Sequence, residues 1–81
     1  MAEPTVDVHL FAAARAAVGA SQLSVPPAPL SVILNGIEAE HPAFAGVRPR
    51  CSYLVDGMTV HADVEVAAGN RVDVLPPFAG G

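Results

Sequence analysis

The 81-residue chain contains no lysine and no tryptophan, and aromatic residues make up only 5% of it. Without lysine it offers no side-chain amine to an isopeptide bond, so it cannot build chains on itself. With Phe11, Phe44, Phe78 and Tyr53 as its aromatics, a deep aromatic-walled ligand pocket is not expected, and Val, Leu, Ile and Ala must fill the core. Cysteine occurs once, as Cys51, which excludes an internal disulfide and suits a reducing compartment. No apolar run approaches the roughly 20 residues of a membrane span. The opening MAEPTVD lacks the basic and apolar regions of a signal peptide, so the cytoplasm is the expected location. Positive charge is also scarce, with four arginines against eight acidic residues for a net charge of -4. That balance speaks against phosphate-backbone binding and against anionic membrane surfaces.

What is present fits one small domain, residues 1–81, long enough to bury a little over about 60% of its unfolded surface. TVDVHLF, residues 5–11, alternates apolar and polar, which predicts a half-buried strand with Val6, Val8 and Leu10 on its inner face. FAAARAAVGASQ reads as a connection, with a turn at Gly19 and room for a short helical piece. Leu23 and Val25 supply a second strand that PPAP at 26–29 stops, because proline has no N–H for a ladder. Leu30, Ile33, Leu34 and Ile37 fall at the spacing of one helical stripe, interrupted in propensity by Gly36 and ended by Pro42. Residues 42–49 have no period and read as a loop or a tight helical turn. CSYLVDGMTV predicts a hairpin about Asp56-Gly57, and VEVAAGNRVDVLPP repeats that pattern about Ala68-Gly69-Asn70, leaving 71–75 as the last strand. The fold class expected is α+β: a mixed sheet of four to five strands covered by one main helix, compatible with the ubiquitin-like β-grasp.

No constellation for catalysis emerges. His9, His41 and His61 lack metal-ligand spacing, so no bound metal or cofactor is expected, and they read as solvated polar-face residues. Cys51, at the start of an apolar strand, reads as a small core residue rather than a persulfide holder. Asp63 and Glu65 could form an acid/base pair on one side of a strand, but in a hairpin without a cleft they read as a charged face protecting a sheet edge.

The chain closes with PPFAGG, residues 76–81. Pro76-Pro77 enforces an extended stem, and Gly80-Gly81 removes every side chain from the tip. A frayed terminus that happens to contain glycine is one reading. A stiff stem with a bare tip, projecting from the domain as a flexible tail at 76–81, is also suited to passing through a narrow channel and presenting its carboxylate inside another protein.

Over residues 5–81 the chain resembles the MoaD/ThiS family of ubiquitin-like sulfur carriers, and within it the small subunits of molybdopterin synthase. The stretches that carry the resemblance are VDVHLFAAAR, IEAEHP and above all RVDVLPPFAGG. The resemblance implies that an ATP-using, MoeB-like activating enzyme adenylates Gly81 and that a sulfur donor converts it to a thiocarboxylate. The tail, Pro76, Pro77, Phe78, Ala79 and Gly80, then enters the active site of a MoaE-like large subunit. There the sulfur passes to a pyranopterin precursor, with the working form a heterotetramer and no catalysis by this chain itself. Phe11 and Leu75 match the family's apolar contacts with partner enzymes.

The chain departs from the family at Ala68-Gly69-Asn70-Arg71, where members carry an acidic turn, so that Arg71 inverts the local charge. Thr59 stands where a larger apolar residue is usual, and Phe78 is bulkier than the usual valine. The same Gly-Gly chemistry serves carriers for thiamin or cysteine synthesis and protein modifiers joined to lysines of other proteins. A plain binding module with an incidental Gly-Gly end is a third reading.

Overall fold

The computed structural model describes residues 4–77. Strand β1 (Val6–Leu10) lies beside the last strand, β7 (Arg71–Leu75), in parallel register, with Val8 opposite Val72 and Leu10 opposite Val74. Antiparallel strands extend this centre outwards. On one side β2 (Gln22–Val25) pairs with β1, and on the other β4 (Ser52–Val55) pairs with β7 and then with β5 (Met58–Val60). The resulting five-stranded sheet has the order β2-β1-β7-β4-β5, the mixed sheet expected from the pattern.

The alternation seen in the sequence is the alternation of burial. Val6, Val8, Leu10, Val72 and Val74 are fully buried, and Leu30, Ile33, Leu34 and Ile37 from helix α2 (Leu30–Glu40) join them in one core. Because every second β residue points to the helix side, a core of branched aliphatics forms without any aromatic from the strands except Tyr53, which packs at its margin. The Asp56-Gly57 turn joins β4 to β5, with both residues at positive φ (49° and 82°), the twist-matched geometry that such a dipeptide favours.

Two connections take the helical form that the sequence reading allowed, and a third departs from it. The Ala-rich stretch after Phe11 is a seven-residue helix, α1 (Ala12–Val18), closed by Gly19 at φ 82°, whose N–H donates to the carbonyl of Arg15 at 2.8 Å. Alanine has the highest helix propensity, and Gly19 takes the left-handed closing position at no cost in sterics. Residues 42–50 form two short 3₁₀ segments, Pro42–Gly46 and Arg48–Arg50.

The stretch before β7 does not form the second hairpin that the repeat of the pattern predicts. Strand β6 (Glu65–Val66) pairs instead with β3 (Ala28–Pro29), inside the PPAP segment. Proline is tolerated there because a two-residue ladder at an edge does not need its missing N–H. The carbonyl of Val64 then accepts from the N–H of Leu30 at 2.8 Å and Asp63 accepts from Ser31, so this small ladder seats the start of α2.

Phe44, in the first 3₁₀ segment, is fully buried where that segment packs against both α1 and α2. Truncation of Phe44 to Ala is expected to destabilise the domain by about 3–5 kcal/mol through lost burial and the cavity left behind. Urea denaturation should show a lower midpoint with an unchanged slope.

Candidate docking face and tail root

The sheet face turned away from α2 carries the residues that alternate with the core. Ladder register sorts them into cross-strand rows. One row runs His9, Asp73, Leu54, Thr59. A second begins at Phe11, whose N–H donates to the carbonyl of Val74 at 3.3 Å and so carries the parallel ladder one step past Leu10. This brings Phe11 beside Leu75, and Leu75 in turn stands opposite Ser52. Phe11 is 39% exposed, a high value for an aromatic side chain in so small a protein. It is held in extended conformation at the entrance to α1, where its carbonyl accepts from Ala14 at 3.0 Å. Leu75 and Leu54 are half-buried. Phe11 and Leu75, matched to the family as separate positions in the sequence, therefore adjoin each other at the end of the sheet where β7 leaves it. Leu54 is the member of this apolar group that sequence reading missed. The alternation in SYLV, with Tyr53 and Val55 packed toward the core, was the signal for it.

Arg71 and Asp73 occupy the same face. Asp73 is only 9% exposed, and Arg71 Nε donates to its Oδ1 at 2.7 Å. A carboxylate so far from water needs a partner, and a close guanidinium supplies one. The inverted charge at Arg71 is thus neutralised two residues along its own strand. The backbone N–H of Arg71 donates to Asp56 Oδ1 at 2.8 Å, and Asn70 Nδ2 donates to Asp56 Oδ2 at 2.6 Å. The tight turn at Asp56 consequently clamps the start of β7, while Pro76 packs at its far end.

Asp63 and Glu65 are not an acid/base pair. Both Asp63 oxygens are engaged by Ser31, through its hydroxyl at 2.7 Å and its N–H at 2.9 Å, while Glu65 sits opposite Pro29. The bonds from Ser31 hold the Asp63 carboxyl below the usual carboxylate range, the hydroxyl contributing most. Asp63 therefore caps α2 from a distant loop, a role no local pattern could announce.

Cys51 is half-buried, its thiol donating to the carbonyl of Val47 at 3.4 Å, and burial pushes its pKa up. A thiol so placed is a packing group rather than a nucleophile. Among the described residues no three His, Cys, Asp or Glu side chains are grouped to hold a metal, and no helix is long and apolar enough to cross a membrane.

At the root of the tail, Pro76 is buried and Pro77 exposed, so the stem begins packed against the domain. Phe78, Ala79, Gly80 and Gly81, expected to enter a partner, lie outside the described residues.

A family model described as the ThiS family matches residues 8–81. The chain belongs to the ThiS family. Its β-grasp sheet, main helix and terminal strand are those of MoaD/ThiS proteins, and the same fold is found in ubiquitin-like modifiers. The solution structure of the Haloferax volcanii HVO 2177 protein is 28% identical, with a TM-score of 0.77 over 96% of this chain and 87% of that one. Small archaeal modifier protein 1 from Methanosarcina acetivorans has a TM-score of 0.83 at 21% identity, covering 96% of this chain and 97% of its own. The complex of subunits 1 and 2 of molybdopterin-converting factor from Helicobacter pylori contains a chain with a TM-score of 0.72 at 17% identity, covering 95% of this chain and 99% of that one. No curated protein matches this ThiS-family chain.

Tyr53, the chain's one tyrosine, donates its hydroxyl to the carbonyl of Arg48 at 2.8 Å. Burial first, then the charge of an ionised Cys51, push its pKa up to about 12 against the opposing pull of Arg48. The fold therefore favours the neutral phenol. The stability this contributes is present below the unfolded value near about 10 and is lost as the pH rises from there through the folded value. Ultraviolet titration of tyrosinate should give a midpoint about 12 for the native protein and about 10 in denaturant.

Proposed function

We propose that this ThiS-family protein is a sulfur carrier, the small subunit of a molybdopterin synthase, whose Gly81 carboxylate is adenylated and converted to a thiocarboxylate. The observation that carries the reading is the convergence at one end of the sheet: the central strand β7 runs directly into Pro76-Pro77, and exposed Phe11 and half-buried Leu75 flank its exit. A part-exposed apolar pair beside a deliverable end is the surface a partner would cover. The H. pylori complex of the two converting-factor subunits supports a large subunit as that partner, since its small-subunit likeness shares this fold. The chain's own part is placement. Adenylation by an activating enzyme using ATP turns a carboxylate into a good electrophile, and the tether then holds the product sulfur at high effective concentration in the large subunit's site.

Carriers serving thiamin or cysteine synthesis share every element of this argument except the recipient. A second reading has its own observation: the likeness to small archaeal modifier protein 1 favours conjugation of Gly81 to lysines of other proteins. Both chemistries pass through the same adenylate.

Intact mass after incubation with ATP, an activating enzyme and a sulfur source separates the readings. Exchange of one oxygen for sulfur, absent when Gly81 is deleted or followed by one added residue, is the outcome for a carrier, and the circular dichroism of these variants should match the parent. Adducts to other proteins that resist reductant, without any thiocarboxylate, are the outcome for a modifier. A fully active Gly81 deletion would sink both.

Replacing Phe11 and Leu75 together by Ser should lower the thermal midpoint by about 10 °C, since both are only part-buried, while the unfolding stays cooperative because neither lies in the buried core. Affinity for the large subunit should fall roughly tenfold or more, as read by titration calorimetry. Unchanged affinity would move the docking surface elsewhere.

A further inference from the structure

The main sheet ends on one side at β2, whose outer edge is covered by no strand among the described residues. The N–H of Leu10 donates to the carbonyl of Ser21 at 2.9 Å, and this fixes the alternation of the antiparallel ladder. Leu23 and Val25 direct their backbone groups to β1, so Gln22 and Ser24 turn their N–H and C=O outwards. Such edges are usually blunted by charge, proline or a bulge. Between Gln22 and Val25 β2 has none of these, and its register with β1 is unbroken.

Beside this edge, between β2 and α2, runs a groove of about 270 Å³. Leu23 and Val25 form its strand wall, Val32 and Ile33 its helix wall, and Val32 is 52% exposed. Gly36 also lines the helix wall. Glycine inside a helix is unfavourable relative to alanine, and packing does not require it here: a Cβ at Gly36 would meet no atom within 4 Å apart from the helix's own backbone. What glycine does preserve is the space of the groove. The charged group on the lining is Glu40, at the C-terminal end of α2, where the helix dipole disfavours an anion. Glu38 in the same turn is met by Arg48 at 3.3 Å, but among the described residues Glu40 has no ion pair.

We propose that this edge and groove bind an extended segment of a partner protein, added as an extra strand beside β2, with aliphatic side chains in the groove and a lysine or arginine beside Glu40. The outward N–H and C=O groups supply main-chain hydrogen bonds, and the groove selects the alternate side chains. Glu40 and the helix end together supply the charge complementarity. A second copy of this chain, with no lysine and a net charge of -4, is a poor source of that cation. The surface lies at the sheet edge on the helix side, away from Phe11 and Leu75, so a partner held there leaves the exit of β7 free. The inference goes beyond the carrier reading and does not rest on it.

The test uses the full-length protein without ATP, sulfur or a large subunit, so its outcome is separate from that of the thiocarboxylate assay. The probe is a capped peptide, Arg-Val-Thr-Val-Thr-Val-Arg, titrated into isotope-labelled protein and followed by NMR. Saturable shifts are expected at the amides of Gln22, Ser24, Val32 and Gly36, with slowed hydrogen exchange at Ser24, and none at Phe11 or Leu75. A copy of the peptide N-methylated throughout, which keeps its side chains but cannot donate, should not bind. Glu40→Lys should weaken binding roughly threefold or more, and replacing both peptide arginines by glutamate should restore part of the loss. Gly36→Leu should weaken binding roughly tenfold or more by filling the groove, while raising the thermal midpoint because leucine is the better helix former. Binding untouched by Gly36→Leu, shifts centred on Phe11 and Leu75, no saturable shift at all, or dimerisation through β2 without peptide would each overturn the proposal.

Discussion

The structure depends on the parallel pairing of β1 with β7. These strands lie more than 60 residues apart in sequence, with Asp7 opposite Arg71 and Leu10 opposite Val74, and the rest of the main sheet grows outwards from them, β2 on β1, β4 on β7 and β5 on β4. Closing so long a loop carries an entropic cost that local hydrogen bonds cannot offset. What offsets it is the inner stripe of Val6, Val8, Leu10, Val72 and Val74, all essentially inaccessible to water, meeting the apolar stripe of α2. Since both central strands are buried on that side by the same helix, a slip of one residue in either would turn charged groups inward. Register, and with it the point at which the chain leaves the sheet, is therefore strongly specified.

That constraint also places the candidate docking surface. With inner positions committed to the core, Phe11, Leu75 and Leu54 have only the outer face available, and the parallel ladder sets Phe11 next to Leu75. At the other end of the face, Asp56 accepts from the backbone of Arg71, and Arg71 neutralises Asp73. The clamp fixes where β7 begins; the burial of Pro76 fixes where it lets go. A tail rooted in a central strand between two such fixed points leaves the domain in a defined direction, which a tail grown from an edge strand would not.

Sequence reading captured what periodicity and turn chemistry encode. The alternation in VDVHL and RVDVL, the helical stripe of Leu30, Ile33, Leu34 and Ile37, and the Asp56-Gly57 turn each correspond to an observed element, because each is a local pattern whose meaning does not depend on distant residues. Long-range partnerships were illegible. Val64 to Val66 looks like the arm of a hairpin with β7, yet it pairs with Ala28–Pro29, because the stronger demand for β7 comes from β1 and β4. Asp63 looks like one of two nearby carboxylates, but its partner is Ser31, 32 residues away. Asp73 could be assigned to the polar face by parity; its near-burial and its bond to Arg71 come only from the packing around it.

The division of labour follows from what each face can hold. Among the described residues the histidines are dispersed, burial raises the Cys51 thiol, and the carboxylates of Asp73 and Asp63 are already bonded, by Arg71 and Ser31. By composition, Gly80-Gly81 carries no side chain at all. In the carrier reading proposed for this ThiS-family protein, the reactive carbonyl belongs to that end and the catalytic groups belong to partners. The domain then contributes stability, a surface for recognition and a fixed exit vector. Those three requirements compete for the same few strands, and the two-sided alternation of β7, apolar toward the helix and mixed toward the partner, satisfies all of them with five residues.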